Sequence, residues 1–240
     1  MKHKWMIYVG FFVLLTAGFL FFVFRDYDFS RSKLNVINAY VPEFEFVNYN
    51  GERFTNKTVE DKVYVAEYFF TTCRGICPKM NANMRRVFNE FKDKENFAIV
   101  SHTCQPEVDS LPVLKDYARK MINGKLSFLN GTYSVAEADS TSAIPKTNWY
   151  FVTGDKSQLY RLARQGYLID NGKPDTAQNI NDQFIHTQFF ALVDKNRRVR
   201  GIYDGLKEQE ILKLLTDIND LLKEKIAAKR FMDGFGNNPG

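Results

Sequence analysis

Apolar and polar positions divide the chain into one long uninterrupted run followed by shorter alternating segments. Trp5 to Phe24 is twenty residues without a charge. At about 1.5 Å of rise per residue, a helix of that length crosses ~30 Å, the hydrocarbon core of a bilayer. The pattern predicts a transmembrane helix. Val63 to Phe70 is β-branched and aromatic, the composition of a strand buried in a sheet. Met80, Met84, Val87, Phe88 and Phe91 then recur at helical spacing, and Pro78 suits the first helical position, where its missing N–H would have no partner. Phe97 to Val100 reads as a second strand, Leu111 to Met121 as a helix, Tyr150 to Val152 as a third strand, and Phe189 to Val193 as a fourth that pairs with Val199 to Tyr203. Glu208 to Lys225 closes the series as an amphipathic helix, with Ile211, Leu214, Leu215, Ile218, Leu221 and Leu222 on its core-packing face. Strands alternating with helices predict an α/β sheet with its functional groups at the strand ends. Met121 to Asn148, which holds Asn123-Gly124, Asn130-Gly131 and a Ser/Thr patch at Ser140 to Ser142, reads as an inserted surface loop.

Charge orients the first helix. Lys2 and Lys4 precede the apolar run and Arg25, Asp26 and Asp28 follow it, so the positive-inside rule leaves the N-terminus in the cytoplasm and the rest outside. The rival reading, a cleavable signal with Thr16-Ala17-Gly18 as its processing site, is disfavoured by the length of the run. The expected organisation is an anchor over residues 1–25, a polar linker over 26–40, one domain over 41–230 and a flexible Gly- and Asn-rich tail over 231–240. Lys and Arg total 33 against 28 acidic residues, and the excess of +5 is spread along the chain. With no dense basic tract, nucleic acid is not an expected partner.

The chemistry is concentrated in Cys73-Arg74-Gly75-Ile76-Cys77-Pro78, between the buried strand and the helix. Cys77 at or near the helix N-cap would have its thiolate favoured by the helix dipole and free backbone N–H groups. The three-residue spacer gives a wider bite than the two-residue spacer of Cys-x-x-Cys redox motifs, and a disulfide across it remains open. Outside the cytoplasm the pair could rest oxidised, which would couple metal loading to prior reduction. Two thiols with a distal imidazole, His186, are soft donors that suit Cu(I) or Zn; a structural zinc site would want a fourth protein ligand. By itself a lone histidine such as His186 is more often a satisfied core or surface residue than a ligand. His102 and Cys104, two apart on a strand, should share a face and could sit at the sheet edge near the principal site, or be a hydrogen-bonded strand-end histidine and a buried thiol. Met80 and Met84 read as core packing rather than thioether ligands.

These residues carry a family resemblance. Phe69 to Pro78 resembles the metal-binding signature of the Sco/SenC copper proteins, which help assemble the dinuclear copper centre of cytochrome c oxidase. Ser101 to Ser110 with Pro106-Glu107-Val108-Asp109, Trp149 to Gly154, Phe184-Ile185-His186-Thr187 with the strand after it, and Gly201 to Gly205 resemble further segments of that family in the same order. The resemblance spans most of residues 41–225. It implies a thioredoxin-like domain behind a single N-terminal transmembrane helix, with Cys73, Cys77 and His186 converging on copper, as Cu(I) or also Cu(II). Where the family often has Asp before the Pro-Glu pair, this chain has Gln105, which removes a carboxylate near the expected site. The implied function is copper delivery to the copper-bearing subunit of cytochrome c oxidase from the extracytoplasmic (periplasmic) side of the inner (plasma) membrane, with a thiol reductant protein as second partner. The alternative is a thiol-disulfide oxidoreductase in which Cys73 and Cys77 are the redox-active pair, acting on cysteines of the oxidase subunit or other exported proteins.

Overall fold

The computed structural model describes residues 2–24, 34–170 and 187–224. The apolar run forms helix α1 (Lys2–Phe24), whose Lys4–Phe22 window has a mean hydropathy of 2.1, is wholly unburied and is long and apolar enough to cross a membrane.

Nine short strands follow: β1 (Glu45–Asn48), β2 (Arg53–Thr55), β3 (Val63–Phe69), β4 (Phe97–Thr103), β5 (Leu126–Leu129), β6 (Thr132–Val135), β7 (Trp149–Thr153), β8 (Phe189–Val193) and β9 (Val199–Asp204). Between and after them lie α2 (Cys77–Phe91), α3 (Leu111–Asn123), α4 (Lys156–Arg161) and α5 (Glu208–Lys223). Seven strands form one mixed sheet in the order β2-β1-β7-β4-β3-β8-β9. The central β7, β4 and β3 are parallel, and the flanking pairs are antiparallel. Parallel neighbours need crossovers, which α2 supplies from β3 to β4 and α3 from β4 towards β7.

Both faces of the sheet are covered, and the alternation of side chains along β3 and β4 sorts the core into two. Val63, Val65, Phe69, Phe97 and Ile99 join the apolar faces of α2, α3 and α5. Tyr64, Ala66, Tyr68, Ala98 and Val100 point the other way, into a core closed by Val41, Phe46, Phe54 and the α4 region. That double burial is why β3 and β4 read as continuous apolar runs rather than alternating ones.

The structure corrects the sequence reading in four places. Met121–Asn148 is not a plain surface loop: α3 continues to Asn123 and β5 and β6 form a separate hairpin. Its turn is Asn130-Gly131, both at positive φ (50° and 75°), the conformation a two-residue hairpin needs. The edge pair β1–β2 and the short helix α4, capped by the Asp155 carboxylate accepting from the Gln158 N–H at 2.8 Å, went unforeseen. Cys77, not Pro78, takes the first helical position of α2, with Pro78 second. Lastly, the expected linker is docked from Leu34 onward. The Ile37 N–H donates to the Val199 carbonyl at 2.8 Å, and the Leu34 carbonyl accepts from Arg200 Nη2 at 2.7 Å. Arg200 is buried on β9 and also pairs with Asp194 at 2.8 Å and with Glu224, just past α5, at 3.0 Å. The expected tail 231–240 lies outside the described residues.

Candidate functional site

The cysteine loop leaves the C-terminal end of β3 and turns directly into α2. The Cys73 N–H closes the turn on the Phe70 carbonyl at 3.2 Å. Cys73 is partly exposed and Cys77 is buried; both are free cysteines, near enough for Cys73 to act on the ionisation of Cys77. The two sulfurs therefore form one donor pair, with Cys73 on the accessible side.

The thiolate expected at Cys77 from the helix N-terminus is not what the structure favours. Burial pushes the Cys77 thiol well up from its ordinary value, Cys73 adds to this, and a backbone hydrogen bond with Phe70 only partly opposes it. Desolvation of a sulfur under the core outweighs the partial charge of one helix end.

A carboxyl that the sequence did not single out as functional holds the approach to the pair. Asp109 is fully buried and accepts from the Thr71 N–H at 3.3 Å, from Thr71 Oγ1 at 2.5 Å and from Thr103 Oγ1. It is delivered by a tight turn in which the Val108 and Asp109 N–H groups both donate to the Gln105 carbonyl, at 3.0 and 2.9 Å. Its partners Thr71 and Thr103 stand at the ends of two adjacent strands, and it is the pairing of β3 with β4 that brings their hydroxyls to one acceptor.

A family model described as SCO1/SenC matches residues 33–223. The chain belongs to the SCO1/SenC family. This SCO1/SenC member is 28% identical over 206 residues to the SCO1 protein homolog of Bacillus subtilis (strain 168), a match covering 85% of this chain and 93% of that one. Among solved structures it is similar to BsSco, described as a member of the Sco family of cytochrome c oxidase assembly proteins with a disulfide switch, at TM-score 0.59 and 24% identity, covering 80% of this chain and 98% of the other. It is also similar to yeast Sco1 with copper bound, at TM-score 0.55 and 19% identity, covering 83% and 99%. The expected thioredoxin-like fold is the fold it shares with these structures.

The other candidates of this SCO1/SenC member resolve as follows. His186 lies outside the described residues, and among the described residues no three His, Cys, Asp or Glu side chains are grouped to hold a metal. Its chain neighbour Thr187 is described: Thr187 Oγ1 donates to the Ile169 carbonyl at 2.5 Å. His102 and Cys104 share a face, as alternation predicts, and both are buried on the side of the sheet opposite α2 and α3, with Cys104 tied to the end of β3 from which the cysteine loop leaves. The His102 ring stacks on Tyr68 at 4.8 Å, and burial pushes its pKa down to about 3. Cys104 Sγ donates to the Phe69 carbonyl at 3.2 Å, and burial pushes that thiol up as well. Met80 and Met84 are fully buried core residues.

Proposed function

We propose that the chain is a membrane-anchored copper-binding protein that delivers copper to the dinuclear centre of cytochrome c oxidase, with Cys73, Cys77 and His186 as ligands. The observation that carries this reading is the placing of two free cysteines, one buried and one partly exposed, side by side at a strand–helix junction in a chain of this family. Two soft sulfurs, one buried and one reachable from outside, suit Cu(I) as cargo: the inner thiol shields the metal while the outer one offers a route for ligand exchange. Support for His186 comes from the topology: β8 is antiparallel to β3, so the chain that follows His186 enters β8 from the end of β3 at which the cysteine loop begins. Helix α1, with Lys2 and Lys4 in its first turn, is read as a single-pass anchor in the inner (plasma) membrane that holds the domain on the extracytoplasmic side. The partners in this reading are the copper-bearing oxidase subunit and a protein that reduces the thiols.

A second reading, thiol-disulfide exchange, is favoured by the same pair of free cysteines and by the disulfide switch described for BsSco. Cys73 would attack and Cys77 resolve. X-ray absorption on the reduced full-length protein in detergent separates the two. One copper per chain with two sulfurs and one nitrogen, lost in Cys73→Ser and His186→Ala, is the expected result. Tight copper binding that survives His186→Ala would remove that ligand, and absence of copper with an active Cys73/Cys77 couple would leave the oxidoreductase.

A further inference from the structure

Leu126 to Ala136 is eleven residues without a charge, in a chain of which 25% is charged. The structure folds it as the β5–β6 hairpin, whose cross-strand pairs sort its side chains onto two sides. Leu126, Phe128, Tyr133 and Val135 share the side towards α2, where Val135 packs on the core and the Arg86 guanidinium lies over the Tyr133 ring at 4.1 Å. Ser127, Leu129, Thr132 and Ser134 form the outer side, with the Ser127 and Ser134 hydroxyls bonded to each other at 3.0 Å. The base and middle of the hairpin are thus fastened to the domain. At its tip, Phe128 stays 60% exposed even with its ring against Tyr133 at 4.6 Å, and Leu129, just before the Asn130-Gly131 turn, is 72% exposed. A hairpin tip is ordinarily polar, and this one leads with two bulky apolar side chains.

The topology places the root of the hairpin. It joins the end of α3 to the start of β7. β7 runs parallel to β4, and β4 to β3, with Trp149 opposite Ile99 and Phe97 opposite Val63, so the hairpin is rooted at the pole where these strands begin. Leu34 enters at the same pole: its carbonyl is held by Arg200, next to Val199, whose partner Val193 pairs in turn with Tyr64 near the start of β3. The cysteine loop leaves the other end of β3. Nine residues separate Phe24, at the end of α1, from Leu34. Fully extended they reach about 30 Å, so a spanning α1 keeps the Leu34 pole close to the bilayer surface.

We propose that the hairpin tip is a second membrane contact, with Phe128 and Leu129 inserted among the lipids of the bilayer that α1 crosses. The proposal rests on the reading of α1 as an anchor. Apolar side chains gain by burial at the headgroup–acyl boundary, and an aromatic with a polar end, such as Tyr133, suits the headgroup layer. Lys125 is exposed at the base, where it attracts anionic headgroups, while Glu137, the first acid after the hairpin, is paired with Lys120. A protein partner fits the tip less well, because a stable interface takes about 800 Å² from each side and two side chains supply a fraction of that. A bilayer sets no such threshold for a domain already tethered to it: insertion is then intramolecular and needs only weak affinity. Two attachments rooted at one pole fix the tilt of the domain and present the cysteine loop away from the surface.

The test is the fluorescence of the full-length protein in vesicles of phosphatidylcholine and phosphatidylglycerol, with and without bromine on the acyl chains. Phe128→Trp and Leu129→Trp are made separately in a Trp5→Phe background, and the signal of the fully buried Trp149 is subtracted with the Trp5→Phe protein alone. The introduced indole should lose most of its emission to the brominated lipid and be protected from aqueous iodide. One such position is enough to support the contact, so a variant that disturbs the hairpin does not decide the outcome. Indoles at both positions that stay bright with brominated lipid and open to iodide would overturn the proposal, whatever Trp5 reports. Indoles shielded from iodide yet untouched by bromine would overturn it too and point to a second copy of the chain over the tip. Trp5 in the unaltered protein is read in the same vesicles, and its loss of emission to bromine reports α1. Failure of the anchor reading and failure of the hairpin contact therefore give separate signals.

Discussion

Asp109 shows how one side chain governs an entrance that it does not itself occupy. It receives hydrogen bonds from both the backbone and hydroxyl of Thr71, two residues before Cys73, and from Thr103 at the end of the next strand. Asp109→Asn keeps the shape but turns one acceptor into a donor facing donors. The expected cost is about 1–3 kcal/mol of unfolding free energy by urea titration, together with faster modification of Cys73 as the loop loosens. At this scale the sequence was informative where chemistry is local. Cys73, Gly75, Cys77 and Pro78 announce a loop running into a helix by spacing alone. Asp109 was illegible as a site residue because its partners come from two other strand ends, which only the sheet brings together. The Cys77 thiol was misjudged for a related reason: the helix end can be read along the chain, whereas burial belongs to the packing above it.

The hairpin β5–β6 is the element with the plainest local cause. Asn130 and Gly131 both adopt positive φ, and Gly131, at 75°, has no steric obstacle but carries a backbone conformation that a Cβ disfavours. Gly131→Ala should cost about 1–2 kcal/mol locally, read as faster amide exchange in Leu126–Val135 while the sheet amides are unchanged. The turn signal was present in the sequence, and Thr132–Val135 does alternate, yet each strand is four residues with largely exposed side chains, too short for the period to stand out. The strands β3 and β4 were legible because seven consecutive buried positions leave an apolar record. The edge pair β1–β2 holds four and three residues, too few for a period to show, and α4 is six residues that run straight into a wider turn at Leu162–Gly166.

For the whole molecule, two buried titratable groups on opposite faces of the sheet act on stability in opposite directions. Glu67 has its pKa raised from 4.5 to about 8, so its contribution is fully present below pH 4.5 and is lost as pH rises towards 8. His102 is lowered from 6.5 to about 3, so it destabilises the fold as pH falls from 6.5 towards 3. Each effect changes stability by about 1.4 kcal/mol per pH unit within its window. The two cancel between pH 4.5 and 6.5, where their windows overlap. Urea titrations across pH should show Glu67→Gln flattening the alkaline decline and His102→Phe flattening the acid one, while a wild-type curve unmoved by either change would refute the account. The α/β architecture behind these effects was legible from the alternation of apolar segments, but the placement of β1 beside β7 was not, because it depends on which sheet edge is left open. The Arg200 clip acts at the same scale. One guanidinium grips the Leu34 carbonyl where the chain enters the domain and Glu224 near the end of its last described helix. It sits at the start of β9, next to the end of β8 that pairs with the beginning of β3, whereas the cysteines follow the far end of β3. Tension applied to the chain at Leu34 is therefore borne by an outer strand at the opposite pole, so mechanical load entering there bypasses the sulfurs.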